Sequence, residues 1–409
     1  MSTTPRSRSL WRGRIVALIG VFVVAFSLRS AVASLSPVLG AIGEDFSVAP
    51  AIVGLIGTAP PVCFAVFGIV TPLMERKLGL ERLAMIAMIA ATLGLTARAF
   101  SVDAVTLLLS TTLIFAAVGV GNILLPPIVK KYFPDRIGLM TSLYSTMLAI
   151  STLIPPLIAV PLAEDTSWRL SVGVWAVFAA VAMIPWLVLW MRSRTAPVEE
   201  IETANPRVFG RLWRLPLAWA LVVAFAVSGT IAYSSFAWLP QILTDVAGVS
   251  AATAGVLLSL FAGMGLPASL LVPLLVVRAN ATRALFAVAV VAGLAGVAGL
   301  LVAPTAAPAL WVALLGIAPL LFPLTLVLLG LRTRTHQGSV ALSGFVQSIG
   351  YAIVAVFPFG IGLIHDATAQ WTVPLLVLGA VIAAAIPAAF VAARPHTIED
   401  EWERRHGAW

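Results

Sequence analysis

The chain is short of charge, of lysine, of cysteine and of the side chains that acid–base catalysis uses. Only 10% of its 409 residues are charged, while 60% are hydrophobic and the mean hydropathy is +1.04. That balance excludes a soluble protein of this length. Cys63 is the single cysteine, so no intramolecular disulfide can form, and its position in an apolar run reads as inert packing. The four histidines, His336, His365, His396 and His406, fall in predicted loops or the tail, as do the carboxylates. There is no Gly-rich phosphate loop, no His/Cys metal spacing and no nucleophile–base pair, which argues against ATP hydrolysis, an enzyme, or a bound cofactor. Only three of the 25 basic residues are lysine, a usage that fits a GC-rich bacterial genome.

Long apolar runs are what the chain has instead. Twelve stretches can cross a bilayer of roughly 30 Å at about 20 residues per span. They lie near 13–38, 49–74, 80–100, 103–129, 137–162, 168–191, 214–240, 250–276, 281–302, 308–331, 338–363 and 371–392. Runs of this length mean helices, because barrel strands are about 10 residues long and alternate polar with apolar. The expected fold is an all-α polytopic membrane protein with 12 transmembrane helices. Its first run outlasts a signal peptide and has no small-residue cleavage site, so it is expected to remain in the mature protein.

The net charge of +8 belongs to topology, not to a nucleic-acid surface. Twenty-two of the 25 basic residues fall at the N-terminus, in every second connection and at the C-terminus. The alternate connections hold only Arg98 and Arg169, near the acidic pairs Glu44–Asp45 and Glu164–Asp165. This positive-inside pattern predicts an even number of spans with both termini cytoplasmic, in a bacterial inner membrane. Trp168, Trp190, Trp213, Trp311 and Trp371 sit near predicted span ends, as an aromatic belt would.

The chain is also duplicated. A polar segment carrying Pro197, Glu199, Glu200, Glu202 and Pro206 leaves six spans on each side. The predicted organisation is a tail at 1–12, a six-helix half at 13–191, a cytoplasmic linker at 192–213, a second half at 214–393 and a tail at 394–409. At an offset of 201, Gly54 matches Gly255, Pro72 matches Pro273, Lys77 matches Arg278 and Arg82 matches Arg283. At 200, Gly138 matches Gly338, and at 203, Pro37 matches Pro240. Two duplicated halves imply a transporter that rocks about a central site near the midplane.

Arg29 is the one basic residue expected deep in a span. A cation there costs roughly 2.5–3.5 kcal/mol on insertion scales, so it faces a cavity or a partner. No Asp or Glu falls in the core of any predicted span. A guanidinium left without a carboxylate in a wet cavity is a site for an anion or for the electron-rich end of a polar solute; the alternative is a structural arginine bonded to helix-end carbonyls.

Several motifs are specific to a family. The segment Gly119-Val-Gly-Asn122-Ile-Leu-Leu-Pro126-Pro127-Ile-Val-Lys130-Lys131-Tyr-Phe-Pro134 leads into Arg136-Ile-Gly138-Leu-Met-Thr-Ser-Leu-Tyr144. To these are added Ala237-Trp238-Leu-Pro240, Leu331-Arg332-Thr-Arg334 and Leu342-Ser343-Gly344-Phe-Val-Gln347-Ser-Ile-Gly350-Tyr351. Over roughly residues 15–390 the chain resembles a major facilitator superfamily protein and, within it, the cyanate/nitroimidazole transporter family. In span 1 that family favours Asn-Leu-Arg, whereas this chain reads Ser27-Leu28-Arg29. The loop typical of the superfamily between spans 2 and 3 is degenerate, as Gly68, Pro72, Glu75-Arg76-Lys77, Gly79 and Arg82. The resemblance implies that spans 1, 4, 7 and 10 line the centre. It also implies that Glu75, Arg76, Lys77 and Arg82 make contacts between the halves that hold an outward-open state; the alternative is plain topology signalling.

The polar residues left inside spans mark the expected cavity, since lipid offers them no partner. They are Arg29, Asn122, Tyr144, Tyr233, Gln347 and Tyr351, with Phe322 as the match of Asn122 in the second half. Gly119 and Gly121 before Asn122 permit close helix packing or leave room for a ligand. Ser343, Gln347 and Tyr351 share one helix face. Trp238 is expected to anchor at the interface, and Pro60–Pro61, Pro126–Pro127, Pro155–Pro156, Pro319, Pro323 and Pro358 are expected to interrupt spans. The function these residues imply is alternating-access transport of a small polar or anionic solute, cyanate-like or nitro-bearing, anchored by Arg29. The alternative is efflux of lipophilic compounds. The expected partners are that solute and the lipid bilayer, with no nucleic acid, and the expected state is a monomer.

Overall fold

The structure, a computed structural model, describes residues 14–133, 135–193, 206–407 and 409. The predicted tail at 1–12 and most of the predicted linker at 192–213 lie outside them. Among the described residues there is no strand, and 12 helical spans are long and apolar enough to cross a membrane.

Span 1 runs Ile15–Ala33, breaks, and resumes through a 3-10 turn at Ser36–Val38 into a short helix, Leu39–Asp45. Spans 2 to 5 are Pro50–Leu78, Leu80–Ala99, Ala104–Tyr132 and Ile137–Asp165. Span 6 joins Trp168–Gly173 to Trp175–Ser193. A short helix, Pro206–Leu212, precedes span 7, Pro216–Ala247. Span 8 joins Ala251–Gly263 to Gly265–Ala279, and span 9 is Thr282–Val302. Span 10 joins Pro308–Ile317 through the 3-10 turn Ala318–Leu320 to Leu321–Leu331. Span 11 is His336–Thr368, span 12 joins Thr372–Ala383 to Ala385–Ala392, and a last helix, Ile398–His406, follows. Successive spans reverse direction, so one face of the bundle carries both termini. We call it the terminal face and its opposite the far face.

Local chemistry sets the span ends. Asp103 opens span 4 by accepting from the Thr106 amide at 2.7 Å, in a reciprocal capping box. Ser250 and Thr335 open spans 8 and 11 as simple caps, accepting from the Thr253 and Gly338 amides. Gly248, with φ at +65°, closes span 7 in the left-handed conformation that glycine adopts without strain. Most prolines do not act as expected: helix runs unbroken through Pro60–Pro61, Pro126–Pro127, Pro155–Pro156 and Pro358. Four breaks fall at Pro37 and Pro319 and three residues before Pro267 and Pro387, where the proline withdraws its bond from the preceding turn, while the break of span 6 at Val174 has no proline beside it.

Each half packs its own apolar core. Val21, Leu28, Phe115 and Trp186 belong to one, Phe225, Phe286, Leu324 and Phe345 to the other. The duplication also recurs in three dimensions. Trp168, which opens span 6, donates its indole N–H to Asp45 at the end of span 1, at 2.9 Å. Trp371, which opens span 12, donates to Asp245 near the end of span 7, also at 2.9 Å.

Several expectations need correcting. Trp168 and Trp371 are buried rather than lipid-facing, because each indole is spent on its aspartate. Trp238 is buried too, donating to the Pro358 carbonyl at 2.9 Å, and is no interfacial anchor. Arg98 lies inside span 3 rather than in a connection, and is fully buried. Glu75 and Glu81 are also buried, at the terminal-face ends of spans 2 and 3. Glu81 accepts from Lys131 Nζ at 2.7 Å and from the Tyr132 hydroxyl at 2.6 Å. His336 and His365 fall at the two ends of span 11, and His406 ends the last helix.

The two halves meet most closely toward the far face. Thr58 of span 2 donates to the Ala355 carbonyl of span 11 at 2.8 Å, and Ser259 of span 8 to the Leu153 carbonyl of span 5 at 2.9 Å. The backbones are so close there that a Cβ on Gly54 would come within 2.8 Å of Phe359 Cα, and one on Gly255 within 2.6 Å of the Pro156 carbonyl. Toward the terminal face spans 1, 5, 7, 8, 10 and 11 enclose a cavity.

Candidate functional site

Arg29 stands in the last two turns of the first helix of span 1, just before that helix breaks at Ser34. It is half-buried, and its Nη1 donates to the Tyr233 hydroxyl at 3.4 Å. Tyr233 belongs to span 7, so this contact bridges the halves. Phe64 of span 2 sets the tyrosines in place, lying edge-on to Tyr233 at 6.2 Å and to Tyr351 at 5.5 Å. Phe225 meets Tyr351 edge-on at 4.9 Å and Phe322 at 5.6 Å. Such ring pairs add about 0.5–1.5 kcal/mol each beyond the area they bury. They fix where the two hydroxyls point.

These residues line a cavity of about 470 Å³ that runs from Arg29, Tyr233 and Tyr351 along spans 5, 8 and 10 toward the terminal face. Its walls are aromatic at Phe225, Phe236, Phe261 and Phe322, with hydroxyls from Thr146, Thr152, Ser228 and Ser269. Among the described residues that line it, Arg29 is the only charged one, and no described Asp, Glu or His is with it. No group of three or more His, Cys, Asp or Glu among the described residues could hold a metal ion. A water-accessible cation beside two phenols offers N–H and O–H donors and no counter-charge, which suits an anion or a nitro group.

The structure brings together four of the seven residues expected at the site: Arg29, Tyr233, Phe322 and Tyr351. Asn122, Tyr144 and Gln347 are not among the lining residues. Asn122 is half-buried on span 4. The glycines before it serve packing: Gly121 lies against Leu28 of span 1, and Gly119 against Cys63 and Phe67 of span 2. Tyr144 is half-buried against the core of the first half. Gln347 donates to Ser343 Oγ at 2.8 Å, one turn away on its own helix. Of the expected conformational residues, Glu75 is buried while Lys77 and Arg82 are exposed. The Arg82 guanidinium lies 5.9 Å from the Trp190 ring, within its own half. The Arg76 side chain is outside the described set.

Residues the sequence reading missed are Phe225, Phe236, Phe261, Thr146, Thr152, Ser228 and Ser269. The hydroxyls carried a faint signal as polar residues inside spans. The phenylalanines carried none, since a phenylalanine facing a cavity and one facing lipid read alike.

This architecture, two six-helix halves around a midplane cavity, is that of a secondary transporter. The chain belongs to the Major Facilitator Superfamily, which it matches over residues 18–351. It is 31% identical over 363 residues to the uncharacterized transporter YycB of Bacillus subtilis, covering 88% of this chain and 89% of that one. It is 30% identical to the 2-nitroimidazole transporter of Escherichia coli, covering 89% and 92%. It is 24% identical to the cyanate transport protein CynX of Escherichia coli, covering 87% and 91%. Among solved structures, a bacterial homolog of the human lysosomal transporter Spinster in an inward-facing, occupied conformation aligns with a TM-score of 0.74 at 14% identity, covering 98% and 99%. A mutant of the nucleoside transporter NupG aligns at 0.71 and 12% identity, covering 92% and 98%. The chain is thus a membrane transport protein and not an enzyme.

Proposed function

We propose that the protein carries a small anionic or nitro-bearing solute across a bacterial inner membrane by alternating access, with Arg29 as the anchor. One observation carries this: among the described residues lining the 470 Å³ cavity Arg29 is the sole charge, and it stands beside two phenols and no described carboxylate. The two named Escherichia coli relatives, a 2-nitroimidazole transporter and a cyanate transport protein, support a solute whose recognisable end is a compact group of electronegative atoms. Tyr233 and Tyr351 add hydroxyl donors, and Phe225 and Phe322 offer faces for a planar ring. Asn122, Tyr144 and Gln347 are assigned to the substrate path in other conformations. The chain acts as a monomer in the bilayer, with both termini cytoplasmic, so the cavity faces the cytoplasm and the close-packed far face is the outer one. The halves at 13–191 and 214–393 then rock about Arg29. Glu75, Arg76, Lys77 and Arg82 meet the other half only when the terminal face closes. No described residue lining the cavity is a carboxylate or an imidazole, so coupling is passive, by exchange, or by a proton that the substrate itself carries.

The second reading, efflux of lipophilic compounds, draws on the phenylalanine walls. A thermal-shift series with nitrate, cyanate, 2-nitroimidazole and a lipophilic cation, on the wild type and Arg29→Ala, separates the two, because a ligand bound only by the folded state raises Tm. Stabilisation by an anion or nitro compound that is lost in Arg29→Ala supports the anchor. Stabilisation by the lipophilic cation in both proteins overturns it.

A further inference from the structure

A second arginine lies inside the bundle, unused by the site above. Arg98, in the last turn of span 3, has no solvent exposure. Its Nη1 donates to the Ala31 carbonyl at 2.9 Å, and its Cζ is 6.0 Å from the centre of the Phe115 ring. Its Nε and Nη2 have no hydrogen-bond partner, and no described carboxylate acts on it. The hydroxyls of Ser34, at the break of span 1, and of Thr111, one turn before Phe115, are also buried and unpartnered. Leaving a guanidinium buried without a counter-charge costs several kcal/mol. Guanidinium N–H groups can only donate, and hydroxyls can turn to donate as well. The Arg98 guanidinium is therefore a buried cluster of N–H donors, with one carbonyl for company, that is short of acceptors.

A route connects this cluster to the main site. A small second cavity, about 30 Å³, lies on the far side of Tyr233. About 10–15 Å³ is enough for one water. Ala31 and Phe115, the two contacts of Arg98, line it. Tyr233, the contact of Arg29, lines it as well, and together with Phe236 it also lines the large cavity. Tyr233 and Phe236 thus form the partition between a cavity that reaches Arg29 and one that reaches the partners of Arg98.

We infer that Arg98 is a second binding station for a small monovalent anion the size of chloride or nitrate, on the path between Arg29 and the far face. The inference rests on reading Arg29 as the primary anchor. Arg98 does not itself line the small cavity, so an anion that leaves Arg29 past Tyr233 reaches its unpartnered Nε and Nη2 once Ala31 or Phe115 gives way. A purely structural Arg98 would serve only to cap the end of the first helix of span 1 through the Ala31 carbonyl.

The test is a nitrate and chloride titration, against sodium gluconate at matched ionic strength, read as Tm of the full chain in detergent. The proteins are the wild type, Arg29→Ala and Arg29→Ala/Arg98→Gln. The expected result is a saturable anion-dependent rise in Tm that persists, weakened, in Arg29→Ala and disappears in the double variant. If Arg98→Gln does not fold, Arg29→Ala/Arg98→Lys takes its place; it can still cap Ala31 but offers one compact donor group, and its apparent Kd is expected to rise at least tenfold over Arg29→Ala. A wild-type shift lost completely in Arg29→Ala overturns the second station and leaves Arg29 intact. A shift that survives in the double variant also overturns it. No shift in the wild type overturns the second station and the anion form of the Arg29 reading.

Discussion

The Arg29 guanidinium and the Tyr233 hydroxyl face each other across the two halves of the molecule, 3.4 Å apart. One belongs to the first span of the first half and the other to the first span of the second, so the contact bridges the two halves. Any relative rotation of the halves changes it. It is long for a hydrogen bond, and a ligand oxygen placed against both groups would satisfy each better than they satisfy one another.

Replacing Arg29 tests the anchor directly. A hydrogen bond to a charged group contributes about 1.5–3 kcal/mol, or roughly 10–100-fold in affinity. Arg29→Ala is expected to raise Kd for the anion or nitro ligand by that factor. Arg29→Lys should fall between, since an ammonium keeps the charge but loses the planar fork. Isothermal titration of the detergent-purified protein reads both; equal affinities in all three proteins would remove Arg29 from the site.

Tyr233→Phe takes away one oxygen and leaves the ring against Phe64. A neutral hydrogen bond contributes about 0.5–1.5 kcal/mol, so Kd should rise roughly two- to tenfold with Tm of the free protein unchanged. A large drop in Tm instead would mean that the hydroxyl serves the fold rather than the ligand.

The close approach at the far face predicts a conformational variant. A side chain on Gly255 would meet the Pro156 carbonyl, 2.6 Å from its Cβ, and that backbone cannot give way cheaply. Gly255→Leu should therefore destabilise the closed far face. About 1 kcal/mol against that state changes a two-state ratio roughly fivefold. The reporter is the alkylation rate of Val53→Cys, in the small cavity, in a Cys63→Ser background, with an impermeant maleimide. It should accelerate severalfold; an unchanged rate argues that the spans separate elsewhere.

Outside the membrane, Arg14 holds Asp135 at the terminal face and keeps its carboxyl below the usual carboxylate range, by hydrogen bond first and charge second. A depressed folded-state value means the contact stabilises above the unfolded pKa of about 3.9. That contribution is lost as pH falls through the lower folded value. Both side chains are about one-third exposed, so solvent screens the pair and the effect is modest. Asp135→Asn should lower Tm slightly at pH 7 and flatten its decline between about pH 5 and 3. A Tm profile identical to wild type would show the contact to be idle.

The sequence alone determined the class, the span count, the duplication and the placement of Arg29 inside a span, and the reason is the solvent. Lipid supplies no hydrogen bonds, so span length and the placement of charge are written directly in hydropathy. The match of Gly54 to Gly255 could be read from spacing; that both press against the opposite half could not. Tertiary structure decided which faces of the helices are inside. Trp238 and Trp371 looked like interfacial anchors until their indoles proved to be held by the Pro358 carbonyl and Asp245. Asn122 and Phe322 match in the repeat, yet only Phe322 lines the cavity, because Leu28 closes on Gly121 in the first half. Arg98 looked like a loop residue and is the most deeply buried cation described. In a chain that is apolar on every side, helical periodicity hardly separates lipid from core, and only the packing of one span on another does.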